Sequence, residues 1–395
     1  MGIHGLTKLL ADNAPDCIKS HSIETFFGRK IAVDASMHIY QFMIMVGRVG
    51  DQQLNAEDGT VTSHLQGMFY RTAKMLDYGI KPVFVFDGKA PELKRKLLDE
   101  RGEKRGEASD ALQLAKDEGN AEDVEKYSKR NVRVTREHNE ECKRLLQLMG
   151  IPTVDAASEA EAQCAEMCKA DLVWGVATED MDALTFGCPR LVRHMMGSTA
   201  QTEKQPIMVF EHDKALEGLG LTNSQFIDFC IMCGCDYAPN IKGIGPVTAL
   251  KMIKTHGGME ALLAHLEGGK HHVPENWPWK EAHAFFTDPD VVKAQDIPPL
   301  KWNDPDEEGL VQFLVNEKSF AEDRVRKVVA RIRAAKGKAQ QGRIESFFKP
   351  TGVTTNKAKP APAGKDVKRK EGPAAKSGPA AKKGKLGGVG GGKKK

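Results

Sequence analysis

Pro82-Val83-Phe84-Val85-Phe86-Asp87-Gly88 decides the fold: a short, apolar, β-rich run that stops at an aspartate and a glycine. Ile31-Ala32-Val33 is a second such run and stops at Asp34. Leu172 to Thr178 is a third, ending in Glu179-Asp180-Met181-Asp182. Helical patterns lie between them, from Met37 to Met45, Thr62 to Tyr78, His138 to Met149 and Ala160 to Lys169. Strand and helix in alternation predict an α/β fold with a mostly parallel central sheet flanked by helices.

In open α/β sheets the ligand site lies beyond the carboxyl ends of the strands, and the acids of this chain collect there. Asp34, Asp87, Glu159 with Glu161, Asp180 with Asp182, and Asp236 make seven. Asp180 and Asp182, two apart in extended chain, point to one face. Glu159 and Glu161 would diverge by about 200° in mid-helix and share a target only at a helix start. Ser158 supplies that start as the first residue of a Ser-x-x-Glu capping box. Taken singly, Glu161 reads as a capping residue and Asp87, before Gly88, as a turn residue. Seven carboxylates on one edge repel one another unless cations intervene, and oxygen-only ligands suit Mg²⁺, with Mn²⁺ able to substitute. Two ions about 4 Å apart, one activating water and one stabilising the leaving oxygen, hydrolyse phosphodiesters. The chemistry is that of a nuclease.

The chain has 395 residues, is 40% hydrophobic and carries a net charge of +4, enough apolar content for one large core or two. Residues 351–395 hold 13 Lys or Arg against 2 acids, a local +11 that leaves −7 for residues 1–350. The basic balance belongs to the tail. Eight scattered cysteines, no signal peptide and no run long enough to span a bilayer predict a reducing intracellular setting. Cys230, Cys233 and Cys235 lack the second Cys-x-x-Cys half of a zinc site and read as core. Met1-Gly2 invites myristoylation, but Leu6 stands where that signal needs Ser or Thr.

Between Gly88 and Thr135 the sequence turns charged and helical, with few large apolar residues. It interrupts the α/β alternation between two acid-bearing strands, so it should rise over the active-site edge. Lys94 and Arg101, seven apart, share a helical face from which they could grip a phosphate. After Asp236, Asn240-Ile241-Lys242-Gly243-Ile244-Gly245-Pro246 opens onto a helix from Val247 to Thr255, a turn that presents backbone N–H groups to an anion, with Lys242 and Lys251 adding charge. From about Pro350 the chain is Lys, Ala, Pro and Gly and reads as disordered. Lys368-Arg369-Lys370 and Lys382-Lys383 resemble a bipartite nuclear import signal. Gln341-x-x-Ile344-x-x-Phe347-Phe348 needs a hydrophobic socket on a partner.

Met1-Gly2-Ile3-His4-Gly5-Leu6, Val33-Asp34-Ala35-Ser36, Phe86-Asp87-Gly88, Ser158-Glu159-Ala160-Glu161-Ala162, Thr178-Glu179-Asp180-Met181-Asp182, Gly234-Cys235-Asp236-Tyr237 and Gly243-Ile244-Gly245-Pro246 together resemble the eukaryotic flap endonucleases of the XPG/Rad2 family. The resemblance runs from Met1 to about Phe348. It implies a PIN-like 5′-nuclease fold with an N-terminal nuclease region (1–107), a helical arch (88–135), an internal nuclease region (136–256) containing a helix-turn-helix-type DNA element, a C-terminal helical part (257–335), a clamp-binding segment (336–350) and the basic tail (351–395). Asp34, Asp87, Glu159 and Glu161 would serve one metal, and Asp180, Asp182 and Asp236 the second. Lys94 and Arg101 would contact the scissile phosphate, Tyr40 would stack on a base, and Gly2 would lie close to the active site. Arg71, Glu159, Gly234 and Asp236 would meet DNA, and Thr62 and Lys318 would hold a one-nucleotide 3′ flap. Lys242, Gly243 and Gly245 would bind the downstream duplex with a K⁺ ion, and Gln341, Ile344, Phe347 and Phe348 would dock on the sliding clamp, up to three monomers per trimeric ring.

The implied activity is 5′ flap endonuclease, with associated 5′-3′ exonuclease, in Okazaki fragment maturation and long-patch base excision repair. The implied place is the nucleus, including nucleoplasm and nucleolus, with a mitochondrial pool left open. Cys235, Asn240 and the charged segment Arg95 to Glu100 depart from the family's pattern, and His38 reads as a satisfied structural histidine. Three other functions are weighed. A gap-tolerant exonuclease is opposed by the arch and the clamp box. A catalytically silent junction-binding protein has no use for seven repelling acids, and a PIN-like ribonuclease would lack the clamp box and the turn after Asp236.

Overall fold

The computed structural model describes residues 2–46, 62–195, 206–266, 271 and 273–338. The glutamine box and the basic tail lie outside the described residues. Seven strands form one sheet: β1 Ile18–His21, β2 Lys30–Asp34, β3 Lys81–Phe86, β4 Thr153–Asp155, β5 Gly175–Ala177, β6 Arg190–Arg193 and β7 Ile207–Glu211. The order is β1-β7-β6-β5-β2-β3-β4. β4, β3, β2, β5 and β6 run parallel, and β7 lies antiparallel to both β6 and β1. The sheet is mostly parallel, as expected: five parallel strands run from β6 to the β4 edge, and the antiparallel pairings are confined to β7 near the other edge. The chain winds outward from β2 through β3 to β4, then returns to place β5 on the other side of β2. That reversal opens a crevice at the carboxyl ends of β2 and β5, the usual ligand position in such sheets.

The apolar runs of β2 and β3 are continuous because both faces of these strands are covered. Ala32, Val83 and Val85 point into one core with Val176, Leu191 and Phe210. Ile31, Val33, Phe84 and Phe86 point into the other with Val192 and Val209. The small-residue face meets the helix Ala160–Lys169, whose Ala160, Ala162, Cys164 and Ala165 allow a close approach. The large-residue face meets the helices Ala35–Val46, Ser63–Asp77, Arg136–Leu148 and Glu322–Lys338. Each fully buried aromatic ring on that face contributes about 2–3 kcal/mol.

The third predicted strand is shorter than its apolar run. Leu172 and Val173 still donate their N–H groups to the Met167 carbonyl, 3.0 and 3.4 Å, so the chain is closing off the preceding helix and becomes a strand only at Gly175. Between β3 and β4 the charged stretch forms two helices, Arg95–Asp117 and Ala121–Arg130, packed against each other, with Ala108 and Ala115 buried on the first. Beyond β7 the helices Asn223–Cys233 and Pro246–His256 flank the glycine-rich turn, with Gly245 at the N-cap and Pro246 in the first turn. Cys230 and Cys233 are buried on the first of these. Among the described residues no helix is long and apolar enough to cross a membrane.

Candidate active site

Asp34 ends β2 fully buried. Its Oδ1 accepts from the Met37 N–H at 3.0 Å and its Oδ2 from the Thr178 hydroxyl at 2.9 Å, so the β2 and β5 ends are tied across the crevice. His38 shares this environment, with Nδ1 2.5 Å from the Asp34 carbonyl oxygen. Asp87, one residue beyond β3, accepts from the Ala160 N–H at 2.9 Å. It thereby caps the helix that carries Glu161 in its first turn.

Two local readings are corrected here. Ser158 does not cap that helix. Glu159 holds the N-cap position, and the Ser158 hydroxyl donates instead to the Lys89 carbonyl at 3.0 Å. The loop after β3 is pinned in the same place by a bond from the Gly88 N–H to the Ser158 carbonyl at 2.7 Å, so a tertiary contact outcompetes the local cap. Asp180 and Asp182 do converge, but not along an extended chain. Asp180 Oδ1 accepts from the Asp182 N–H at 2.9 Å, and Asp182 begins the short helix Asp182–Thr185.

The arch base closes over these acids. Lys94 Nζ lies 2.5 Å from Glu159 Oε2 and 3.3 Å from Asp236 Oδ2, and the Arg101 guanidinium reaches Asp236 at 3.1 Å. The Lys94 ammonium also sits 5.9 Å from the centre of the buried Tyr237 ring. Gly2 comes to the same place with φ +71, and a Cβ there would fall 2.0 Å from Asp180 Oδ1 and 2.5 Å from Asp182 Oδ1. The structure thus gathers all seven acids with Lys94, Arg101 and Gly2.

Burial dominates the electrostatics. It pushes Asp34 up to about 7, aided by Asp87, and it raises Glu159 despite Lys94 beside it. Glu161 is raised well above the carboxylate range by burial and then by Asp34, and Asp182 by burial and then by Asp180. Burial alone would lower Lys94, but Glu159, Glu161 and Asp236 hold it well above its ordinary value.

Asp182 Oδ1 is buried with no hydrogen-bond partner. A buried, unpartnered carboxylate oxygen among like charges calls for a cation, and the all-oxygen donor set fits a hard divalent ion. Among the described residues no three His, Cys, Asp or Glu side chains close tightly on one point as they stand, and Lys94 fills the space between Glu159 and Asp236. A pH dependence follows. Asp34, Glu159, Glu161, Asp180 and Asp182 are raised in the fold, so they favour folding below about pH 4, and for Asp34 that contribution is lost as pH rises through about 7. Metal-free protein should lose melting temperature between pH 5 and 8, and Mg²⁺ should restore it at pH 8. A flat melting profile in EDTA would refute this.

The other predicted residues fall elsewhere. Tyr40 is half-buried on the helix Ala35–Val46, and Arg71 lies 5.7 Å over the Phe42 ring. Thr62 is the N-cap of the helix Ser63–Asp77. Its neighbour His64 meets Glu141 at 2.7 Å, and Lys318 pairs with the same Glu141, so Thr62 and Lys318 share one corner. Gly234, at φ +96, closes the helix Asn223–Cys233, while Lys242, Gly243 and Gly245 are exposed on the turn. Gln341, Ile344, Phe347 and Phe348 lie outside the described residues. Sequence reasoning gave no role to Thr178, which holds Asp34, or to Tyr237, which underlies Lys94. A threonine two residues before Asp180, accepting its N–H at 3.1 Å, was the available signal for the first.

Family models match in two places, the XPG N-terminal domain over residues 1–108 and the XPG I-region over 150–236. Flap endonuclease 1 of Chlamydomonas reinhardtii is 62% identical over 362 residues, 91% of each chain. That of Glycine max is 53% identical over 395 residues, the full length of both. The chain is a member of the flap endonuclease family. Flap endonuclease-1 from Methanococcus jannaschii shares the fold at TM-score 0.63 and 32% identity, covering 83% of this chain and 98% of its own. The Rad2 catalytic core, solved in complex with DNA substrate, matches at TM-score 0.64 and 26% identity over 84% of this chain and all of its own. Family membership makes the chain a structure-specific, divalent-metal-dependent DNA hydrolase.

Proposed function

We propose that this flap endonuclease uses the acid edge to hold two divalent ions and cuts a 5′-flapped DNA junction beneath the arch. The observation that carries the reading is the convergence of seven carboxylates from five segments with two arch cations directed at them. Asp34, Asp87, Glu159 and Glu161 hold one ion and Asp180, Asp182 and Asp236 the other. The ions, when bound, activate water and stabilise the leaving oxygen. Thr178 and the Met37 N–H fix the Asp34 carboxylate. Asp87 orients the first turn that bears Glu161. Lys94 and Arg101 exchange their carboxylate partners for phosphate oxygens and offset charge as it develops.

Tyr40 stacks on a base near the cut, and Arg71 and Gly234 meet the DNA. Thr62 and Lys318 take the 3′ nucleotide. Lys242, Gly243 and Gly245, helped by K⁺, bind the downstream backbone, so that recognition is of shape and phosphates, not base sequence. The residues 341–348 dock on the sliding clamp, and the protein works in the nucleus.

The test is cleavage of a labelled double flap against a recessed 5′ end, with Mg²⁺ or with EDTA. Metal-dependent release of the flap plus one nucleotide, faster than digestion of the recessed end, is the expected result. Equal rates on the two substrates would sink the flap preference, and tight binding without cleavage would favour a silent junction-binding protein.

A further inference from the structure

The corner shared by Thr62 and Lys318 is built on one carboxylate. Glu141 lies on the helix Arg136–Leu148, which the chain enters on leaving the arch. Its Oε2 accepts from His64 Nε2 at 2.7 Å and its Oε1 from the Lys318 ammonium. His64 is the second residue of the helix Ser63–Asp77, whose N-cap is Thr62, and Lys318 ends the helical turns Val311–Glu317 as their C-cap. A second ion pair from the same helix runs in the opposite sense. Arg144, three residues on from Glu141, donates to both oxygens of Glu317 at 2.7 and 2.8 Å, and its guanidinium lies 4.2 Å from the centre of the Phe313 ring. The helix thus presents an acid and a base to the adjacent Lys318 and Glu317.

These groups hold one another in place. His64 is fully buried, and its ring lies 4.6 Å, centre to centre, from that of His138, which closes a capping box with Thr135 at the start of the Glu141 helix. The Glu141 side chain is 17% exposed and that of Lys318 16%. Burial works to raise the Glu141 carboxyl, but the His64 and Lys318 hydrogen bonds outweigh it and lower it to about 2, so it is an anion throughout the neutral range. A mostly buried ammonium on a long stem turns toward water unless a partner holds it. Among the described residues Glu141 is the one hydrogen-bond partner of Lys318, and an ammonium has three donors, so its other two are available to a substrate oxygen.

We propose that Glu141 is a positioning residue for the 3′ nucleotide: it holds Lys318, and through His64 the helix start at Thr62, at a fixed spacing, so that the corner is formed before the substrate arrives. The inference rests on the assignment of Thr62 and Lys318 to that nucleotide. With the carboxylate in place, the long Lys318 side chain is already ordered, and binding does not bear the entropy of fixing it. Without it, the ammonium is free to turn to solvent, and the 3′ nucleotide must draw it back. The effect of Glu141 passes through Lys318, so it shows in affinity for a substrate that carries the 3′ nucleotide and not in the chemical step at the acid edge. Its place on the first helix after the arch, and not among the acids of the sheet edge, agrees with that division.

The experiment measures KM and kcat of the full chain on a double flap with a one-nucleotide 3′ flap and on a single flap without it, in the unaltered chain, in Glu141→Gln, in Lys318→Gln and in the double variant. The amide is isosteric with the carboxylate but uncharged. In Glu141→Gln the KM for the double flap should rise severalfold toward that for the single flap, with the single-flap KM and both kcat values unchanged. On the Lys318→Gln background the same substitution should add nothing, as expected for two residues that act as one unit. KM does not depend on how much of a sample is active, so partial unfolding cannot imitate this result. An equal rise on both substrates overturns the proposal in favour of a general role in the fold, and a further rise on the Lys318→Gln background shows that Glu141 does not act through Lys318. If the unaltered chain has the same KM for both substrates, the assignment of the corner to the 3′ nucleotide falls and the proposal with it. If the unaltered chain favours the double flap and Glu141→Gln keeps that preference, the proposal alone falls.

Discussion

Asp182→Asn should lower the single-turnover rate of flap cleavage by roughly a thousandfold while leaving flap DNA bound and the protein folded. Several kcal/mol of charge stabilisation pass through a catalytic metal, and each 1.4 kcal/mol is about tenfold in rate. Asp182 is where this contribution is most exposed to a single atom change. Its Oδ1 is buried with no partner, and its neighbours Asp180 and Asp236 only add repulsion. The amide is isosteric and neutral, so in metal-free protein the substitution relieves strain where the carboxylate had been costly. The melting temperature of Asp182→Asn in EDTA at pH 8 should therefore exceed that of the unaltered chain, and its gain from Mg²⁺ should shrink. Opposite signs for stability and activity are the mark of a functional residue that folding alone would not select. A folded variant that cleaves at an undiminished rate would remove Asp182 from the metal site.

The sequence made the centre of the sheet legible because β2 and β3 are buried on both faces, and after their exposed first residues, Lys30 and Lys81, no polar residue interrupts the apolar run before Asp34 and Asp87. It was silent where strands are short or half-exposed. β4 has three residues with both ends exposed, and β1 is exposed at its two central positions, so neither shows an apolar run. Asp34, Asp87 and the Asp180–Asp182 pair could be collected from strand ends because topology, not local conformation, brings them together, whereas Glu159 and Glu161 open a helix and Asp236 follows the helix Asn223–Cys233 and not a strand. Local conformation was less secure. Ser158 satisfies a capping pattern, yet its hydroxyl is spent on the Lys89 carbonyl, and the helix takes its cap from Asp87, 73 residues away in sequence. Asp180 and Asp182 converge through a turn in which one carboxylate binds the other's backbone. In both places a long-range or backbone partner decides the geometry, and spacing in the chain carries no trace of it.

Lys94→Met should slow single-turnover cleavage by about 10²–10³-fold, the usual loss on removing a preorganised donor to developing charge, with little change in affinity for flap DNA. The prediction separates Lys94 from Arg101, although both pair with Asp236. The Lys94 side chain is 15% exposed and its ammonium is enclosed by Glu159, Asp236 and the Tyr237 ring, whereas the Arg101 side chain is 45% exposed at the end of its reach. A charge held in a dry site acts with less screening than one in water, so Arg101→Met should cost less. The same substitution has a second consequence that a mere loss of DNA contact would not produce. Lys94 is what lowers Glu159 against burial, and without it the Glu159 carboxyl rises further above the carboxylate range. The more raised a carboxylate is in the fold, the more stability is lost as pH climbs through its pKa. Metal-free Lys94→Met should therefore lose melting temperature more steeply than the unaltered chain between pH 5 and 8. A matched slope alongside slow cleavage would confine Lys94 to the phosphate. A steeper slope with normal cleavage would make it a counterion to the acids and nothing more.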